Sequence, residues 1–171
     1  GFEEAAALPL QGLTVYYMLK QMARIKKDET VLIHAAAGGV GTLAIQLAKI
    51  FGAKSVIATA SSEEKLEIDR RVGADYLVNY KNDNWDDIVI SHLLKNGGVD
   101  IILEMVGGDI FHKSLKCLAP FGRLIVFGRA SGAETLFDPR QLMSKNQTVS
   151  GFLLTGFKDG NDNRRVMQEL F

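Results

Sequence analysis

Residues 30–52 read TVLIHAAAGGVGTLAIQLAKIFG. Val31, Leu32 and Ile33 form an unbroken apolar run, the pattern of a short strand covered on both faces. Small residues follow from Ala35 to Gly41. From Val40 onward Leu43, Ala44, Leu47, Ala48 and Phe51 recur at helical spacing, and Gly52 stands where a helix is capped. A strand, a glycine turn and a helix in direct succession leave few folds open. The turn delivers the first amides of a helix to the end of a buried strand.

Those amides are unpaired, and the helix end carries about half a positive charge, so a pyrophosphate binds there without a cationic side chain. A side chain at Gly38 would hold phosphates off the backbone, and one at Gly41 would push the helix off the strand. The spacing is A-x-G-x-x-G, with Ala36 in the first place of the dinucleotide fingerprint G-x-G-x-x-G. Alanine is the next smallest residue, so the geometry is kept. The bland alternative is a tight turn with no ligand; the flanking strand and helix favour a dinucleotide.

Charge and cysteine usage exclude several classes. Twenty basic residues balance twenty acidic ones, leaving no field for nucleic acid or an anionic membrane. The single Cys117 rules out an internal disulfide and a cysteine-cluster metal site. No signal peptide and no run of 18 apolar residues is present, so a cytoplasmic protein is expected. Without a secretory signal the sequon Asn146-Gln147-Thr148 carries no weight. A chain of 171 residues buries roughly 70% of its unfolded surface, enough for one domain spanning 1–171. It opens on Gly1 rather than Met, and is expected to be a piece of something longer.

Residues 2–23 are apolar at helical spacing with interruptions at Pro9 and Gly12, which predicts two helices or one broken helix. Further strands are predicted at 55–60, 76–79, 99–105, 121–128 and 148–154. The intervening segments are helical: one from a capping box with Ser61 as cap and Glu64 reaching back, then 85–95 and 109–119. A short helix begins at Asp138-Pro139, and the chain turns helical again from Asn163. Six strands joined by helical crossovers give a parallel α/β sheet, doubly wound in the order 3-2-1-4-5-6 of the Rossmann fold. Ligands then lie along the carboxyl ends of the strands, at 36–41, 59–62, 79–80, 105–107 and 127–128.

An Asp or Glu about 20 residues after the motif begins normally holds a free ribose 2′-hydroxyl. Here that place reads Ala58-Thr59-Ala60-Ser61-Ser62. A cation, Lys65, follows in the next helical turn, and Tyr80 ends the third strand. A 2′-phosphate gains from Lys65 and from the Ser61 and Tyr80 hydroxyls, so NADP(H) is expected over NAD(H). Against this, Ser61 serves equally as a plain cap, Lys65 as a solvated lysine, and Glu63 has the reach to hold an NAD ribose.

The chain resembles the medium-chain dehydrogenase/reductases, and within them the NADPH-dependent quinone oxidoreductases. The matching pieces are Leu10-Gln11-Gly12-Leu13-Thr14-Val15-Tyr16-Tyr17, the block HAAAGGVG at 34–41, Gly73-Ala74-Asp75, Asn79-Tyr80, Gly98-Val99-Asp100 and Phe121-Gly122-Arg123. The resemblance implies that Gly38, Gly39, Val40 and Gly41 hold the pyrophosphate and that Ser61, Lys65 and Tyr80 hold the 2′-phosphate. It places Thr14, Phe127 and Gly128 near the nicotinamide, with Phe152 a further neighbour. It implies a separate barrel-like catalytic domain absent from this chain, and a homodimer formed through the edge strand 148–154. Hydride then passes to a small-molecule acceptor, a quinone or an α,β-unsaturated carbonyl compound.

Two other functions stay open: the cofactor half of a zinc-dependent alcohol dehydrogenase, and a non-catalytic NADPH sensor. A methyltransferase fits less well, because it normally wants an acid after the second strand. His34, His92, His112 and Cys117 lack ligand spacing, so no metal site is assigned. His34 reads as a satisfied strand residue and Cys117 as a small buried hydrophobe. Tyr16 and Lys20 match the spacing of the short-chain dehydrogenase catalytic pair but precede the glycine turn. Tyr16 is therefore read as packing, and no residue is assigned an acid/base role.

Overall fold

A computed structural model of the protein describes residues 8–93, 97–157 and 160–170. Three consecutive helical pieces, Leu8–Gly12, Leu13–Tyr16 and Tyr17–Met22, form α1, the outer two wound as π-helix. The expected break does not occur in this described part. Pro9 lies in the first turn, where its missing N–H is not needed, and Gly12 keeps helical angles of φ −64 and ψ −47. Then follow β1 (Thr30–Ile33), α2 (Gly39–Ile50), β2 (Ser55–Ala60), α3 (Glu63–Arg71) and β3 (Tyr76–Asn79). The second half comprises α4 (Trp85–Ile88, continued by a π turn Val89–Leu93), β4 (Val99–Glu104), α5 (Asp109–Cys117) and β5 (Leu118–Val126). A 3-10 turn Pro139–Lys145, β6 (Thr148–Gly151), a second 3-10 turn Leu154–Gly156 and α6 (Gly160–Leu170) complete it. The parts of the expected helices at 2–7 and 94–95 lie outside the described residues.

All six strands are parallel, in the order β3-β2-β1-β4-β5-β6. Val31, Leu32 and Ile33 are fully buried, as a strand covered on both faces requires. Val31 and Ile33 join the core beneath α1, α2 and α6, with Val15, Leu19, Ile45 and Val166. Leu32 joins the opposite core, with Trp85 and Val89 of the α4 segment and Phe111 and Leu115 of α5. Each such side chain removed from water contributes about 1.5–3 kcal/mol.

Polar clasps fix the amino ends of the strands. Asp75 accepts from Val56 N at 2.6 Å and from Lys49 Nζ at 2.6 Å, tying the end of α3 to β2 and α2. Asp100 accepts from Thr30 N at 2.8 Å, and Arg123 pairs with Glu29 at 2.7 Å. The matched pieces Gly73-Ala74-Asp75, Gly98-Val99-Asp100 and Phe121-Gly122-Arg123 thus supply fasteners at the sheet's lower edge.

Several boundaries differ from the sequence reading, most of all at the last two strands. Strand β5 starts earlier, at Leu118, which pairs with Val99 before the register shifts. Strand β6 stops at Gly151, although Phe152 N still donates to Val126 O at 2.8 Å. Phe152 is buried and Leu154 packs on the core, while Leu153 between them is 73% exposed.

Candidate dinucleotide site

The glycine turn is built by backbone. Ala35 takes a left-handed φ of 50, Gly38 N donates to Ala35 O at 3.0 Å, and Ala36 N donates to Thr59 O at 3.1 Å. Gly38 caps α2 in extended conformation, and the first helical bond runs from Thr42 N to Gly38 O at 2.9 Å. The amides of Gly39, Val40 and Gly41 are the orphan donors of the helix start. Ala36 is wholly buried and serves the turn as a wall: a Cβ at Gly41 would sit 2.2 Å from its carbonyl oxygen. At Gly38 a Cβ would meet only Ala35 O, at 3.3 Å. Room is therefore left at Gly38 on the side where a phosphate would approach.

A cavity of about 380 Å³ opens beside this turn, lined by Gly38, Ser61, Lys65, Tyr80, Ile68 and Met105 among others. Four of the residues expected from sequence thus meet in one place. Lys65 Nζ donates to Ser61 Oγ at 3.4 Å, and Tyr80 N is fixed to Ala60 O at 3.1 Å. The cap of α3 is Ser62, not Ser61: Ser62 is the extended residue, and its Oγ accepts from Lys65 N at 3.4 Å. That shift leaves the Ser61 hydroxyl on the cavity side. Glu63 does not line the cavity. Met105 belongs to the stretch 105–107 expected to border a ligand, whereas Ile68 was missed from sequence. Ile68 follows Lys65 by one helical turn and stays 44% exposed, an apolar surface suited to a base.

A second cavity, of about 760 Å³, lies over the ends of β4, β5 and β6. Phe127, Gly128, Phe152, Phe111 and Phe137 line it. The loop after β5 closes one side, held by the bond from Gly108 N to Thr135 Oγ1 at 2.8 Å. Glu104 is wholly buried at its base, Oε1 accepting from Val106 N at 2.6 Å and Gly107 N at 2.9 Å. Burial pushes its carboxyl up despite those two donors. Thr14 is buried on α1 and lines neither cavity.

His34, Cys117 and Tyr16 line neither cavity. His34 is wholly buried, its Nδ1 2.8 Å from Thr59 Oγ1 and its Nε2 2.8 Å from Ser114 Oγ. Ser114 already donates to Ile110 O at 2.6 Å, so it accepts from His34 Nε2–H, and Nδ1 accepts from Thr59. Burial holds this imidazole neutral, with its pKa lowered to about 3. The Cys117 thiol is buried and pushed up to about 12, chiefly by desolvation. Tyr16 donates to Glu169 at 2.7 Å and packs edge-on against Phe51 at the far end of α2 from the glycine turn. His112 is half-buried, and the side chain of His92 lies outside the described residues. Among the described residues no group of three or more His, Cys, Asp or Glu side chains is placed to hold a metal ion, and no helix is long and apolar enough to cross a membrane.

Fold and turn together define a dinucleotide-binding α/β domain. More particularly, the chain belongs to the zinc-binding dehydrogenase family, whose model matches residues 39–171. It is 43% identical over 136 residues to quinone oxidoreductase 1 of Escherichia coli, covering 78% of this chain and 40% of that protein. It is 40% identical over 127 residues to a 2-haloacrylate reductase of Burkholderia, covering 74% and 38%. The crystal structure of Escherichia coli quinone oxidoreductase complexed with NADPH superposes with a TM-score of 0.89 at 35% identity, covering 99% of this chain and 52% of that one. The chain thus spans about half the length of these relatives, or less.

Proposed function

We propose that this chain is the nucleotide-binding half of an NADPH-dependent oxidoreductase that passes hydride to a quinone or an α,β-unsaturated carbonyl compound. The observation that carries the reading is the meeting of Gly38, Ser61, Lys65 and Tyr80 around one cavity beside a helix start. The amides of Gly39, Val40 and Gly41 would take the diphosphate. Ser61, Lys65 and Tyr80 would take the 2′-phosphate, with Ile68 and Met105 against the adenine. Phe127, Gly128 and Phe152 would face the nicotinamide; Thr14 is assigned there on the family resemblance. When bound, NADPH supplies the hydride, and the chain's own work is to bind, orient and exclude water. No residue here is given an acid/base role. A barrel-like catalytic domain outside this chain would furnish most of the acceptor pocket.

Two relatives support the acceptor class, one a quinone oxidoreductase and one a reductase of haloacrylate, an α,β-unsaturated acid. NADPH oxidation by the intact protein with quinones and enones, and NADP+ reduction with alcohols, both with zinc content measured alongside, test the reading. Turnover with quinones or enones is expected. Turnover with alcohols alone, at one zinc per chain, would overturn it.

The buried, unpaired thiol of Cys117 suits a reducing, cytoplasmic setting. β6 forms one edge of the sheet, and its outer edge, with Leu153 beside it, suits a homodimer through residues 148–154. Sedimentation of the intact protein would test the dimer, and a monomer at micromolar concentration would exclude it.

A further inference from the structure

The glycine turn has a neighbour that the nucleotide fingerprint does not account for. Gln11 lies one helical turn before Thr14 in α1, and its side chain folds onto Gly39. A Cβ at Gly39 would lie 2.4 Å from Gln11 Nε2 and 2.8 Å from Oε1. Gln11 is half-buried, and among the described residues its amide has no hydrogen-bond partner. A carboxamide brings two donors and an acceptor. Held against the turn with none of these spent on a described residue, the carboxamide has its bonds to offer to a ligand.

What arrives at Gly39 is set by the helix, whose first amides and dipole favour an anion. The turn itself offers backbone donors only, since Gly38 gives α2 no side-chain cap. Lys65 and Ser61 belong to the adenosine cavity, which Gln11 does not line. The geometry points to Gln11 as a side-chain ligand of the cofactor's diphosphate, donating from Nε2 to a phosphate oxygen on the nicotinamide side. This rests on the reading of the turn as the dinucleotide site. It also explains the glycine at position 39, where any side chain would displace Gln11.

The test titrates NADPH and adenosine 2′,5′-bisphosphate, which lacks the second phosphate of the bridge, into the intact protein by calorimetry. Gln11→Ala is expected to weaken NADPH about tenfold, the scale of one hydrogen bond to a charged group, and to leave the bisphosphate unchanged. Gln11→Glu is expected to weaken NADPH further through repulsion, with a loss that shrinks as salt is raised. Unchanged NADPH affinity in Gln11→Ala overturns the proposal. Equal losses for both ligands also overturn it, since they mark a distorted fold rather than a lost contact. Failure of the unmutated protein to bind the bisphosphate would instead overturn the cofactor reading on which the proposal rests.

Discussion

Gly41 and Ala36 touch backbone to backbone: a Cβ on the glycine would lie 2.2 Å from the alanine carbonyl oxygen and 2.5 Å from its Cα. Gly38, three residues earlier, meets only one oxygen at 3.3 Å. The two glycines of one fingerprint therefore differ: Gly41 lets α2 lie against the turn that follows β1, and Gly38 is the one we propose for the approach of a ligand.

Their substitutions should separate accordingly. Gly41→Ala is expected to destabilise the fold by about 2–3 kcal/mol, because neither neighbour is a flexible side chain. Gly38→Ala is expected to change stability by less than about 1 kcal/mol while weakening NADPH by roughly tenfold or more. Urea denaturation and calorimetry on the same variants check both.

Lys65 should set the choice between cofactors. Its ammonium borders the cavity beside Ser61. Lys65→Ala is expected to weaken NADPH about tenfold and leave NADH unchanged, measured by fluorescence titration of each. Equal losses would remove the 2′-phosphate from this cavity.

Two buried groups give stability opposite pH dependences. His34 has a pKa of about 3 in the fold, below its ordinary 6.5. The unfolded chain gains a proton that the fold refuses, so stability falls as pH drops from about 6.5 to about 3, by up to about 1.4 kcal/mol per pH unit. Asp69 is wholly buried, both oxygens lack hydrogen-bond partners among the described residues, and desolvation raises its pKa from 3.8 to about 7. Here the fold keeps a proton that the unfolded chain loses, so stability is lost as pH rises from about 4 to about 7. Over the shared window the two slopes oppose each other. Asp69→Asn should therefore gain on the unmutated protein between pH 4 and 7 and plateau above, in denaturation curves taken stepwise in pH.

Tyr16→Phe should cost about 1 kcal/mol of stability through loss of the bond to Glu169. NADPH affinity and turnover are expected to stay unchanged, because the ring packs at the opposite end of α2. A large fall in turnover would return Tyr16 to the chemistry.

Strand order was legible from periodicity because each crossover carries its own helix, and β2 and β3 begin and end where their apolar runs do. The meeting of Ser61, Lys65 and Tyr80 was legible because parallel topology places every strand's carboxyl end on one side. The cap was not: Ser61 and Ser62 are the same residue type, and only the extended backbone of Ser62 decides between them. Nor was Gln11, whose reach to Gly39 depends on how α1 crosses α2. Local pattern holds no record of that crossing. The same is true of His34, whose partners Thr59 and Ser114 lie 25 and 80 residues away.

The face that α2 turns to the sheet carries Gly41, Ala44, Ile45 and Ala48, all buried. Three of these four, Gly41, Ala44 and Ala48, have no side-chain rotamers to lose when the helix packs. A helix start held in this way would lower the ordering cost of binding the proposed diphosphate.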